Sequence, residues 1–145
     1  MRDIRKYEVF QLADQLVLEV YRVSAKFPKT EMYGLTDQMR RAAASIPMNL
    51  AEGAARAGAK ESARFVNIGV GSCEEVRYQL HLAEALGYLP KAEQQKLDQR
   101  YESVKKMLAK LYGAVSREPT ADSVQTMMTA DSSRPTAYSR RAAGQ

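Results

Sequence analysis

The amino-acid sequence predicts an all-α fold: an up-down-up-down antiparallel four-helix bundle followed by a flexible C-terminal tail. Three observations predict it. Apolar residues recur at helical spacing through four long segments. Short connections carrying proline or glycine separate those segments. No stretch alternates apolar and polar residues as a half-buried strand does.

The first helix is expected over about residues 9–26, with Phe10, Ala13, Leu16, Val17, Val20 and Tyr21 turned inward. Phe27-Pro28 closes it, because the residue before a proline is pushed out of the helical region. Residues 28–34 form a loop. The second helix covers about 35–57. Wound at about 100° per residue, it places Leu35, Met39, Ala42, Ile46, Leu50, Gly53 and Ala57 on one stripe, the face a bundle helix buries. Gln38, Arg41, Ser45, Asn49, Glu52 and Arg56 line one flank. Ala43, Ala44, Pro47, Ala51 and Ala54 line the other, where a second backbone can approach closely. Pro47 removes one ladder hydrogen bond and is expected to bend or interrupt the helix. The third helix spans about 60–87, with Phe65, Ile68, Gly69, Ser72, Val76, Gln79, Leu80, Ala83 and Leu86 on one face. Gly69 and Gly71 cost about 1 kcal/mol each inside a helix, so close contacts are expected there. Gly87 is a natural stop and Pro90 suits a helix start. The fourth helix covers about 90–112, with Leu97, Tyr101, Val104, Leu108 and Leu111 inward.

Residues 1–115 therefore form one domain, and the composition changes after them. Residues 116–145 are rich in Ser, Thr, Ala and Arg and contain no Leu, Ile or Phe. Such a segment buries too little surface to offset the entropy of ordering and reads as a flexible tail.

Composition narrows the class further. The 145 residues are 45% hydrophobic and 27% charged, as in soluble globular domains. The N-terminal run MRDIRKYE lacks the apolar centre of a signal peptide. No segment approaches the roughly 20 apolar residues of a membrane span. Cys73 is the single cysteine, which excludes an intramolecular disulfide and points to the reducing cytoplasm. The net charge of +5 permits contact with nucleic acid without demanding it.

A set of residues in order carries a family resemblance: Phe27-Pro28, Glu31, Tyr33-Gly34-Leu35, Gln38, Arg41-Ala42, Ser45-Ile46, Asn49, Ala51-Glu52-Gly53, Gly71-Ser72 and Glu75. In these positions the chain resembles the four-helix 23S rRNA intervening-sequence proteins. That family is similar in fold to the accessory variability determinant of diversity-generating retroelements. The resemblance covers about residues 7–115. It implies a cytosolic protomer that assembles into a ring, commonly a homopentamer. The retroelement relatives bind nucleic acid and a reverse transcriptase through a basic surface. The resemblance also implies structural or interface roles for Arg41, Ser45, Asn49, Glu52 and Glu75. Gln38 joins them on the same flank. Glu75 is expected near enough to Arg41 to form an ion pair, so that Arg41→Ala destabilises more than Arg40→Ala.

No catalytic constellation is legible, and the expected protein is not an enzyme and carries no cofactor. A di-metal bundle uses paired Glu-x-x-His motifs, whereas His81 is the only histidine and precedes Leu82-Ala83-Glu84. Cys73 has no histidine pattern beside it and reads as a buried, inert thiol. Gly69-Val70-Gly71-Ser72 lies inside a predicted helix and lacks the strand and lysine of a phosphate loop. Two readings remain. One is a homo-oligomeric accessory protein that binds RNA or DNA, with or without a reverse transcriptase, through Arg40, Arg56, Lys60, Arg64, Lys105, Lys106 and Lys110. The other is a homo-oligomeric scaffold whose charges are a solvated face.

Overall fold

The computed structural model describes residues 3–117, and within them the chain forms four long helices and no strand. They are α1 (Glu8–Ser24), α2 (Leu35–Ala54), α3 (Ala59–Ala85) and α4 (Lys91–Ser116), with single 3-10 turns at Ile4–Lys6 and Lys29–Glu31. Cross-helix bonds fix the topology. Ser45 meets Ser72 while Ser62 reaches Gly53, so α2 and α3 run antiparallel. Cys73 reaches Tyr101 while Arg77 reaches Asp98, so α3 and α4 do too. Arg22–Glu93 and Arg100–Gln15 close the bundle between α1 and α4.

In α1 the buried apolar positions are Val9, Ala13, Leu16, Val20 and Val23, alternately four and three residues apart, and Ser24 is buried beside the last of them. The stripe is rotated from the expected one. Phe10 and Val17 sit half-buried at its edge, and Tyr21 is 46% exposed. The β-branched valines, not the larger rings, face the other helices. The small flank of α2 behaves in two ways: Ala43 and Pro47 are buried, while Ala51 and Ala54 receive the N-terminal 3-10 turn around Ile4. Pro47 stays inside a continuous helix and does not interrupt it. The helix ends three residues before Ala57, which is exposed.

The α2–α3 junction explains that early stop. The buried Ser62 hydroxyl donates to the Gly53 carbonyl at 2.8 Å, adding to the Arg56 N–H at 3.2 Å and tying the end of α2 to the first turn of α3. In α3, Phe65, Ile68 and Leu86 were expected inside. Phe65 is half-buried, Ile68 and Leu86 are exposed, and Ala63, Val66 and Cys73 take the core instead. α3 ends at a left-handed glycine: Gly87 has φ of 80°, with Tyr88 N–H on Ala83 O and Gly87 N–H on Glu84 O, both at 2.9 Å. α4 buries every residue expected of it and one turn more, through Val115. Ser116 was expected to open the tail but ends the helix. The tail reading for the rest lies outside the described residues.

Neither interior glycine of α3 is held by a clash with a neighbour. A Cβ on Gly69 would meet Leu108 Cδ1 at 3.6 Å, an ordinary contact, and a Cβ on Gly71 would meet nothing within 4 Å. The close contact expected at this pair is therefore present only at Gly69.

One end of the bundle is locked by a carboxylate. Glu31 accepts the Leu35 N–H at 3.1 Å, capping α2, and the Tyr88 hydroxyl at 2.9 Å, tying that cap to the α3–α4 connection. The same carboxylate raises the Tyr88 pKa through the hydrogen bond. Phe27 packs on the Tyr88 ring at 5.6 Å. A Cβ on Gly34 would approach Glu31 Oε1 to 2.8 Å, so glycine leaves room for the cap.

Candidate nucleic-acid and assembly interfaces

Two surface regions concentrate the chemistry, one along the α2 flank and one at the end of the bundle opposite Glu31. On the α2 flank, Ser45 shares a 2.8 Å hydrogen bond with Ser72. Asn49 Nδ2 donates to the Ser45 carbonyl at 2.7 Å and to its hydroxyl at 2.9 Å. This knot lies where α2 and α3 approach through serine and glycine. Each neutral bond contributes about 1 kcal/mol.

The remaining flank residues do not join it. Arg41 is 78% exposed and pairs with Asp37 at 2.9 Å, one turn back on its own helix. Glu75 accepts a long 3.4 Å bond from Gln79, so the expected Arg41–Glu75 pair is not formed. The i,i+4 carboxylate is simply nearer to Arg41 than one on the next helix. Glu52 pairs with Arg56 at 2.6 Å, and Gln38 is exposed. Gln79 was read as a core-face residue; it is buried with its Oε1 unpartnered.

Arg40 reverses its expected role. Its Nε donates to Ser24 Oγ at 2.8 Å, another guanidinium nitrogen donates to the Tyr21 carbonyl at 3.3 Å, and the group lies 4.5 Å from the Tyr21 ring centre. It thus sets a cation on the last turn of α1, where one is favoured, adding to the Ala25 N–H that the Tyr21 carbonyl already accepts at 3.1 Å. Of the two neighbours, Arg40 and not Arg41 ties α2 to α1.

Beside this flank a groove of about 640 Å³ runs past Tyr21, Met32, Tyr33, Ala44 and Met48. Tyr33 is 90% exposed and Met48 66%. Large apolar side chains are thus left open together along this groove.

At the opposite end, the short α2–α3 connection brings Arg56, Lys60 and Arg64 close together. Arg56 and Arg64 both lie over the Phe65 ring, at 4.9 and 4.6 Å. Arg64 also pairs with Glu61, and that hydrogen bond lowers the Glu61 pKa. Next to them a groove of about 720 Å³ is lined by Lys60, Arg64, Asn67, Tyr112 and Ser116. The other expected cations lie elsewhere. Lys105 pairs with Glu74 at 3.3 Å within the Arg77–Asp98 network, and Lys106 and Lys110 are exposed along α4. The network holds Arg77 protonated, chiefly through Asp98.

Among the described residues Cys73 and His81 lie apart, one buried and one exposed. Cys73 is fully buried, donates to the Tyr101 carbonyl at 3.0 Å, and has its pKa pushed up to about 12 by burial. His81 is exposed beside Tyr78. Among the described residues no group of three or more His, Cys, Asp or Glu could hold a metal ion. Also among them, no helix is long and apolar enough to cross a membrane.

The fold is that of a small four-helix protein. The chain belongs to the 23S rRNA-intervening sequence protein family, whose family model matches residues 5–110. Comparison with curated proteins returns no match.

Proposed function

We propose that this protein is a non-enzymatic, cytoplasmic accessory protein that self-associates through the α2 flank and binds nucleic acid at its basic end. The observation that carries the nucleic-acid half is the stacking of Arg56 and Arg64 on Phe65, with Lys60 and Arg64 lining an open groove. Cations held in place lose little side-chain entropy on meeting phosphate. The assembly half is supported by the open apolar groove along α2, which a second copy would cover. A ring of copies, with five as the expected number, repeats the basic end once per protomer and multiplies weak phosphate contacts. A reverse-transcriptase-like partner is compatible with the same surfaces.

The scaffold reading without nucleic acid has one observation in its favour. Arg56, Arg64 and Lys105 each already face a carboxylate, as solvated charge pairs do. Light scattering and a binding series with structured RNA separate the two. Assembly with salt-sensitive RNA binding supports the accessory reading. Assembly without binding at about 50 mM salt, where phosphate contacts are strongest, leaves the scaffold. A monomer at micromolar concentration overturns the assembly half of both.

A further inference from the structure

We infer that the groove between the first turns of α3 and the last turns of α4 seats an unpaired nucleotide of a single strand, its base on Tyr112 and its phosphates on Lys60 and Arg64. The inference rests on the nucleic-acid reading above and specifies its form. At about 720 Å³ the groove has the size of sites that hold small ligands. Tyr112 is 38% exposed although Leu111 and Val115 beside it are buried, so its ring is the aromatic surface α4 turns toward this opening. Every base has a face that stacks on such a ring, whatever its identity. Bases within a duplex keep those faces hidden.

The charges suit the same occupant. Lys60 is exposed at the groove, and Arg64 is held at its rim by Glu61 and the Phe65 ring. Arg56 lies beside Arg64 on the Phe65 ring and faces Glu52, and Glu61, the partner of Arg64, is the one carboxylate among the described residues of the lining. Asn67, exposed in the lining, has both a donor and an acceptor for a base edge. The sequence shows no interleaving of basic and aromatic residues because these groups come from two helices far apart in the chain, α3 and α4.

The test is fluorescence anisotropy of the full chain with three labelled probes of about 12 nucleotides: oligouridine RNA, oligothymidine DNA and an RNA duplex. Tyr112→Leu is expected to weaken both single strands about tenfold, leave the duplex unchanged, and be rescued by Tyr112→Phe. RNA bound more tightly than DNA would assign the 2′-hydroxyl a role, and equal binding would assign the site to base and phosphate; either supports the seat if Tyr112 matters. Lys60→Gln is expected to lower the salt slope by about one. Asn67→Ala and Lys60→Gln alter exposed positions, so they remain informative if Tyr112→Leu fails to fold. Unchanged single-strand affinity in Tyr112→Leu, or in Lys60→Gln and Asn67→Ala together, overturns the inference while sparing the broader reading. Equal affinity for polyglutamate, insensitive to Tyr112, would make the groove an acidic-peptide site and also overturn it. No binding of any nucleic acid overturns both.

Discussion

Replacing Arg40 by alanine removes three contacts between α2 and the end of α1: the bonds to Ser24 Oγ and the Tyr21 carbonyl, and the stacking on the Tyr21 ring. Hydrogen bonds to a charged group contribute about 1.5–3 kcal/mol each, and an exposed cation–π contact about 0.5–1 kcal/mol. The three share one half-buried group and are not additive, and the Tyr21 carbonyl regains water when the arginine leaves. A loss of about 2 kcal/mol results. Arg41→Ala removes only an exposed i,i+4 pair with Asp37, worth about 0.3–0.5 kcal/mol. In urea unfolding at a concentration low enough to dissociate any assembly, Arg40→Ala should shift the midpoint well below that of Arg41→Ala. In thermal unfolding the gap should be roughly 5–10 °C. Equal midpoints, or a larger loss for Arg41→Ala, would refute the reasoning and restore the Arg41–Glu75 pair as the structural one. Because Arg41 lines the α2 groove, its variant should instead lower the assembled mass.

Tyr88→Phe deletes the hydroxyl bonded to Glu31 and should cost about 1 kcal/mol in chemical denaturation, while leaving the Phe27 ring contact in place. Gly71→Ala should stabilise the protomer by about 1 kcal/mol, since its methyl meets nothing in the bundle; a loss of assembled mass in the same variant would place a second copy against that turn. Cys73 should resist alkylation at pH 8.5 until the chain unfolds, because only the thiolate reacts. Its raised pKa favours the native state below the unfolded thiol value of 9.0. That contribution, at most about 4 kcal/mol, is lost as pH climbs from 9 toward about 12, so denaturant midpoints should fall across that window.

The helices and most of α4 were legible because long apolar periodicity has one physical reading. Leu97, Tyr101, Val104, Leu108 and Leu111 are all buried as their spacing requires. α1 was harder: two stripes overlap there, and volume alone favoured Phe10 and Tyr21 over Val9 and Val23. The site residues were legible as a flank but not as partners. Periodicity places Ser45 and Asn49 near the core edge, yet only the packing of α3 brings Ser72 against them. Arg40 and Arg41 look alike in sequence, and the rotation of α1 decides which one finds a carbonyl. Glu31 carried a signal that was available: a carboxylate three residues before glycine and four before the first helical residue can cap a helix. Its second partner, Tyr88, is 57 residues away and no local pattern announces it.

The proposed self-association and the proposed nucleic-acid contact use different atoms. The apolar groove runs beside α2 near Met32, Tyr33 and Met48, whereas the cations cluster where α2 ends and α3 begins. Their energies are nonetheless linked. At the basic end Arg56 and Arg64 each already face a carboxylate, and such contacts give only weak, salt-sensitive binding. Copies held together convert each further contact into an intramolecular one and can raise avidity by about 10²–10⁴. Met48→Asp places a charge in the groove and touches no residue of the basic end, so it should dissociate the assembly while leaving each protomer folded. Affinity for a long strand should then fall at least tenfold, and affinity for a strand short enough to occupy one protomer should hold. If both strands bind the dissociated variant as tightly as the parent protein, a single basic end suffices and assembly serves some other purpose.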